Sequence, residues 1–160
     1  MRSGTASYVR ESTDFCIGAA AYPEDPSPAE RIGYFKLKID AGAEYGITQM
    51  LFDESIYSRF LRELSQAGIS APILPGFRVL RSKEAALKMA KRFKVSVASW
   101  MMDALPSETE GTEMERAAKV SDVFFEYVRR LRAAGAPGVH VFVLSDTADA
   151  SSLISRLCSM

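Results

Sequence analysis

One carboxamide stands in the middle of an apolar run. In Tyr45-Gly-Ile-Thr-Gln-Met-Leu-Phe52, Gln49 occupies a place where an unpaired amide would cost about 1–3 kcal/mol. A carboxamide offers both a donor and an acceptor, so it can read the edge of a heterocycle, or it can bond to backbone nearby. Tyr22 follows another apolar run and precedes Pro23, where a ring either meets a ligand or packs in a turn. His140, the only histidine, has no companions for general-base or metal chemistry, so a satisfied core histidine is expected. Cys16 and Cys158 lie far apart with no CxxC, which predicts no metal site and an inert core position for Cys16. Asp40, Asp53 and Glu54 do not have the spacing of an acid/base pair. Arg129-Arg-Leu-Arg132 falls on the solvent face near the end of a helix, where cations suit the dipole, and needs no nucleic acid to explain it.

The elements that must position these groups follow from pattern. The chain has 160 residues, 48% hydrophobic and 25% charged, values of an ordinary globular domain. Twenty Lys and Arg balance twenty Asp and Glu, which argues against a general nucleic-acid or polybasic membrane surface. The apolar stretch Val139 to Leu144, broken by His140, falls far short of the ~20 residues of a membrane-spanning helix. The opening MRSGTASYVREST lacks an apolar leader, and the expected location is a reduced, cytoplasmic one.

Phe15–Ala21, Tyr45–Phe52, Ala71–Pro75 and Val139–Leu144 read as buried strands. Helical periodicity runs over Glu30–Ala41, Glu54–Ala67, from Ser82 (a plausible N-cap) through Phe93, over Glu113–Ala134 and over Ala150–Leu157. Strands apolar on both faces, alternating with helices of this length, predict an α/β fold with parallel pairing. Pro106-Ser-Glu-Thr-Glu-Gly111 is a polar insertion too short to divide domains, so a single domain over 1–160 is expected.

The strand-end motifs Ala20-Ala-Tyr-Pro-Glu24, Lys38-Ile-Asp-Ala-Gly-Ala43, Ile47-Thr-Gln-Met-Leu-Phe-Asp53, Pro72-Ile-Leu-Pro-Gly76, Ala98-Ser-Trp100 and His140-Val-Phe-Val-Leu144 come in a definite order. In that order and spacing, from about Asp14 to Leu157, the chain resembles the C-terminal half of the 5,10-methylenetetrahydrofolate reductase barrel. The resemblance implies a (β/α)8 TIM-barrel architecture of which about four βα units, a half-barrel, stand here; a complete barrel takes ~250 residues. It also implies an activity: NAD(P)H reduces FAD, and the reduced flavin passes a hydride to the folate substrate, giving 5-methyltetrahydrofolate for methionine biosynthesis. The family's general acid, a glutamate on the first barrel strand, falls outside this chain, so no catalytic residue is expected in it. The partner it implies is the missing N-terminal half-barrel, or a second copy through self-association.

By the same resemblance, Gln49 faces the pterin and nicotinamide, Tyr22 and Lys38 contact FAD, and Met89 covers the folate ring where the family has an aromatic residue. Each keeps an ordinary alternative: a backbone-bonded amide, a packed turn, a solvated lysine, and a core methionine at the helical spacing of Ala86, Met89 and Phe93. Besides Met89, four positions depart from the family pattern. Arg31 stands where an acidic residue is expected and Leu37 where a basic one is; Ala85 replaces a polar contact, and Asp146 replaces an arginine that touches folate. Those departures define a second expectation, a non-catalytic or repurposed half-barrel that has lost FAD and folate and serves as a subunit or binding module.

Overall fold

The computed structural model describes residues 14–143 and 147–159. In chain order these form β1 (Gly18–Ala21), α1 (Pro28–Asp40), β2 (Tyr45–Met50), α2 (Glu54–Gln66), β3 (Ile73–Phe77), α3 (Lys83–Phe93), α4 (Ser99–Ala104), α5 (Glu113–Ala133), β4 (His140–Val141) and α6 (Thr147–Cys158). All three strand pairings are parallel and the order is β1-β2-β3-β4, the α/β class expected from the sequence.

Local chemistry sets the helix boundaries. Ser27, Asp53 and Ser82 cap α1, α2 and α3 by accepting from backbone N–H groups of the first turn, and Thr112 with Glu115 forms a capping box at α5. Gly68 and Gly135 take positive φ just beyond α2 and α5, so the chain leaves each helix in a conformation that disfavours other residues. The six-residue α4 was not expected, because one and a half turns carry no readable period. Ahead of it, Val97 makes an isolated parallel bridge to Phe52, which continues the sheet pattern at the end of β2.

β1, β2 and β4 are shorter than the apolar runs that announce them, and β3 lies two residues later than the expected Ala71–Pro75. β4 keeps only His140 and Val141, with Phe142 N–H donating to the Phe77 carbonyl at 2.7 Å. Cys16 precedes β1 and is exposed, which corrects the expectation of a core thiol. His140 is likewise not a core histidine: it is half-buried, its ring edge-on to Phe142 at 4.5 Å.

Burial alternates along β2, with Gly46, Thr48 and Met50 buried and Tyr45, Ile47 and Gln49 half-buried. The buried face meets a core in which Phe77 stacks on Phe124 at 5.5 Å and meets Tyr127 edge-on at the same distance. Two buried tyrosines tie helices to the sheet. Tyr57 Oη donates to the Ile73 carbonyl at 2.8 Å and Tyr127 Oη to the Leu51 carbonyl at 2.7 Å. Burial pushes the Tyr57 phenol up to about 12 and the Tyr127 phenol well above its ordinary value.

β2 and β3 are in register at Ile47 with Leu74 and again at Met50 with Gly76, so β2 holds one extra residue between those points. Side chains replace the interrupted ladder. Gly76 N–H donates to Thr48 Oγ1 and Met50 N–H to Gln49 Oε1, both at 2.8 Å. A Cβ on Gly76 would lie 2.5 Å from the Thr48 carbonyl oxygen, so the irregular pairing requires glycine there.

Candidate functional site

The face of the sheet away from the core lines a cavity of about 340 Å³ bounded by Gly18, Tyr22, Tyr45, Ile47, Gln49, His140 and Phe142. Gln49 reaches it on the face of β2 that it shares with Tyr45 and Ile47. Its Oε1 is engaged by the Met50 N–H, which leaves the amide N–H groups as the part of the side chain with no bond to a described residue. In this arrangement the amide N–H groups are the donors the carboxamide has to offer.

Tyr22 stands at the carboxyl end of β1, 47% exposed, an aromatic face open to a ligand. Lys38, in the last turn of α1, donates from Nζ to the Ala20 carbonyl at 2.7 Å and sits 5.2 Å from the Tyr22 ring centre. The structure thus places Tyr22 and Gln49 on the wall of one cavity, with Lys38 held against the Tyr22 ring and outside that lining. A second recess of about 180 Å³ adjoins them, lined by Tyr22, Glu24, Gln49, Phe93 and Lys94. There Glu24 Oε2 accepts from Ser96 N–H at 2.8 Å, while Oε1 is buried with no partner among the described residues.

Met89 lies apart from this group. It packs against the core and also lines a different pocket of about 260 Å³ with Leu80, Ala85 and Phe142, between α3 and the ends of β3 and β4. It thus packs as a core methionine does while one side of it faces an open pocket. Asp146 lies outside the described residues.

The departures on the flavin side have structural explanations. Arg31 is buried and donates to both carboxylate oxygens of Glu63 and, at 2.8 Å, to the Asp25 carbonyl, so it joins α1 to α2 and not to a ligand. Leu37 is 63% exposed. The carboxylates set aside at the sequence level are occupied. Asp53 caps α2, Asp40 pairs with Lys36, and Glu54 accepts from Trp100 Nε1 and Arg130. Arg130 stacks on Trp100 at 4.2 Å and, with Arg129, pairs with Glu126. Among the described residues no cluster of His, Cys, Asp or Glu is arranged to hold a metal, and no helix is long and apolar enough to cross a membrane.

Sequence reasoning missed the cations around Met89, namely Arg78, Lys88 and Arg92. Their signal was available in part, since Lys88 and Arg92 are four residues apart on the stripe that holds Ala85 and Met89.

Fold and site together define a parallel α/β protein with cavities at the carboxyl ends of its strands, the placement this class uses for binding. The methylenetetrahydrofolate reductase family model matches residues 5–158, and the chain belongs to that family. It is 31% identical over 156 residues to methylenetetrahydrofolate reductase 1 of Schizosaccharomyces pombe, covering 94% of this chain and 26% of that one. It is 31% identical over 150 residues to 5,10-methylenetetrahydrofolate reductase of Escherichia coli, covering 89% of this chain and 49% of that one. The chain thus spans about half the length of the bacterial relative and about a quarter of the yeast one. Among solved structures, an uncharacterized protein from Clostridium thermocellum that binds two copies of 5-methyl-5,6,7,8-tetrahydrofolic acid shares the fold. The match has a TM-score of 0.55 at 19% identity, over 89% of this chain and 52% of that one.

Proposed function

We propose that this chain is the second half of a flavin-dependent methylenetetrahydrofolate reductase barrel, a single folded unit in the cytoplasm that completes its site with an N-terminal half-barrel. The observation that carries this reading is that Tyr22 and Gln49 line one cavity, with Lys38 against the Tyr22 ring, in a chain of this family. The flavin, when bound, carries a hydride from NAD(P)H to the methylene carbon of the folate.

Tyr22 offers an open ring face and Lys38 an ammonium held beside it, a pair suited to the edge of FAD and its phosphates. Gln49 donates from its amide to the pterin, and it does so from β2, between Thr48, which pairs with β1, and Met50, which pairs with β3. The sheet and the rings of Tyr45 and Phe142 form an apolar wall that excludes water on one side of the cavity. The proton donor comes from the other half.

The test is equilibrium binding of FAD and 5-methyltetrahydrofolate to this chain alone and to its mixture with the N-terminal half of the Escherichia coli relative. The chain alone should purify without stoichiometric flavin, and the mixture should bind one FAD and one folate. Absence of both ligands from the mixture overturns the reading. A specific observation favours a second reading, a repurposed half-barrel without flavin: Arg31 is consumed by Glu63 and Leu37 points to solvent at two positions of the family's flavin site. That reading predicts folate binding, or none, with no FAD in either preparation.

A further inference from the structure

Glu24 holds an acceptor that no described residue uses. It follows Tyr22 and Pro23 beyond β1, and its Oε2 accepts from Ser96 N–H in the turn after α3. Its Oε1 is buried without a partner, although Lys94 lines the same recess. Asp25, the other carboxylate there, already accepts from Ser27 N–H through Oδ1 at 3.0 Å. A buried carboxylate oxygen is more costly to leave unpaired than a neutral acceptor, so this one calls for a donor.

Gln49 has the converse surplus. Met50 N–H occupies its Oε1, and its two amide N–H groups bond to no described residue. Gln49 also lines both spaces, the recess of about 180 Å³ that holds Glu24 and the larger cavity of about 340 Å³. An ordered water needs about two to four polar partners and room for itself, and the recess offers it Glu24 Oε1 and the Gln49 amide. We propose that Glu24 is a positioning residue for Gln49. One amide N–H donates to a water in the recess, and that water donates to Glu24 Oε1. The second N–H is then turned toward the larger cavity where, resting on the folate reading above, it meets the pterin. The Ser96 contact anchors the carboxylate, and the water carries that anchoring to a carboxamide otherwise held only by its own neighbour.

Two measurements test this. In ¹⁵N spectra of the chain, the Gln49 amide pair is identified by its absence from Q49A, and E24A should shift it. In calorimetric titrations of 5-methyltetrahydrofolate into the mixture with the N-terminal half of the bacterial relative, E24A should weaken binding about fivefold. In the Q49A background the same change should cost less than about twofold, because the group it positions is gone. E24Q keeps an oxygen for Ser96 N–H, so it should hold the melting temperature, shift the amide pair and lose part of the affinity; it takes the place of E24A in both measurements if E24A does not fold. An amide pair that stays in place, or an affinity loss of equal size in the two backgrounds, overturns the proposal and leaves the folate reading standing, with Glu24 serving only the turn at Ser96. If the wild-type mixture binds no folate, the folate reading falls, and the amide spectra alone decide the link between Glu24 and Gln49.

Discussion

Gln49 shows what a single residue can declare from sequence and what it cannot. An amide inside an apolar strand must find a partner, and it does, but half of that demand is met by its own neighbour. With Oε1 held by Met50 N–H, the amide N–H groups are what the side chain has left to donate. In the barrel completed with its other half, Gln49→Ala should slow oxidation of reduced flavin by methylenetetrahydrofolate roughly tenfold, the loss of one hydrogen bond worth about 1.4 kcal/mol. Gln49→Glu keeps the acceptor for Met50 and removes the donor, so it should retain the melting temperature while still losing the rate. An unchanged oxidation rate in either folded variant would take Gln49 out of the site. His140 and Cys16 were misread for one shared reason: periodicity identifies an apolar run but not where its pairing stops, and both residues sit at such an end.

A second residue makes a prediction about pH. Tyr57 is buried with its phenol raised from 10.0 to about 12. Below pH 10 it is protonated in both states and its contribution is complete. Between pH 10 and 12 the unfolded chain loses its proton first, so stability declines as pH rises, by roughly 2 kcal/mol across that window. Tyr57→Phe should flatten that part of the decline in urea titrations at a series of pH values, leaving the portion due to Tyr127. It should also cost about 1 kcal/mol at neutral pH through the lost bond to the Ile73 carbonyl. A decline of the same steepness in Tyr57→Phe would show that other groups carry it.

Among the elements, legibility followed length and termini. α2, α3 and α5 were readable because a capping residue opens each one and an apolar stripe continues it, whereas α4 is too short to repeat. The bulge in β2 was not legible, since an extra residue in one strand is a relation between two segments and leaves no mark in either. It is held by a close approach that can be tested. Gly76→Ala would drive a Cβ against the Thr48 carbonyl oxygen and the Phe142 ring, and should destabilise the fold by about 1–3 kcal/mol in chemical denaturation. Because Gln49 lies within the same irregular segment, this variant should also weaken folate binding, although Gly76 has no side chain to offer a ligand. A variant of wild-type stability would mean that the strands repair their register at no cost. The Arg31–Glu63 pair makes the matching case for the helices, where Arg31→Ala should lose about 2–3 kcal/mol by leaving Glu63 without its bidentate donor. Flavin affinity in the completed barrel should not change if Arg31 is structural, as its buried contacts indicate.

For the whole molecule, the sequence pointed to a parallel α/β fold and to a family, and both stand. What pattern could not convey is how the sheet's second face is used. Core strands and barrel strands share the same apolar alternation, and only assembled coordinates show Tyr45, Ile47, Gln49 and Phe142 lining an open cavity in place of a covered core. Among the described residues β1 pairs only with β2, and β4 only with β3. Two strand edges then present unsatisfied backbone groups beside a partly apolar face, a combination that favours addition of further strands. In a closed barrel those edges would meet the edges of another half, and the face would become interior. The purified 160-residue chain should therefore self-associate in sedimentation velocity experiments, with a weight-average mass that rises with concentration. Adding the N-terminal half of the bacterial relative should replace that series with a one-to-one complex, because both draw on the same edges. A concentration-independent monomer that unfolds cooperatively would rule out open edges as the dominant feature of this surface, since a sheet left unpaired on both sides has no other means of satisfying its backbone than water or a neighbour.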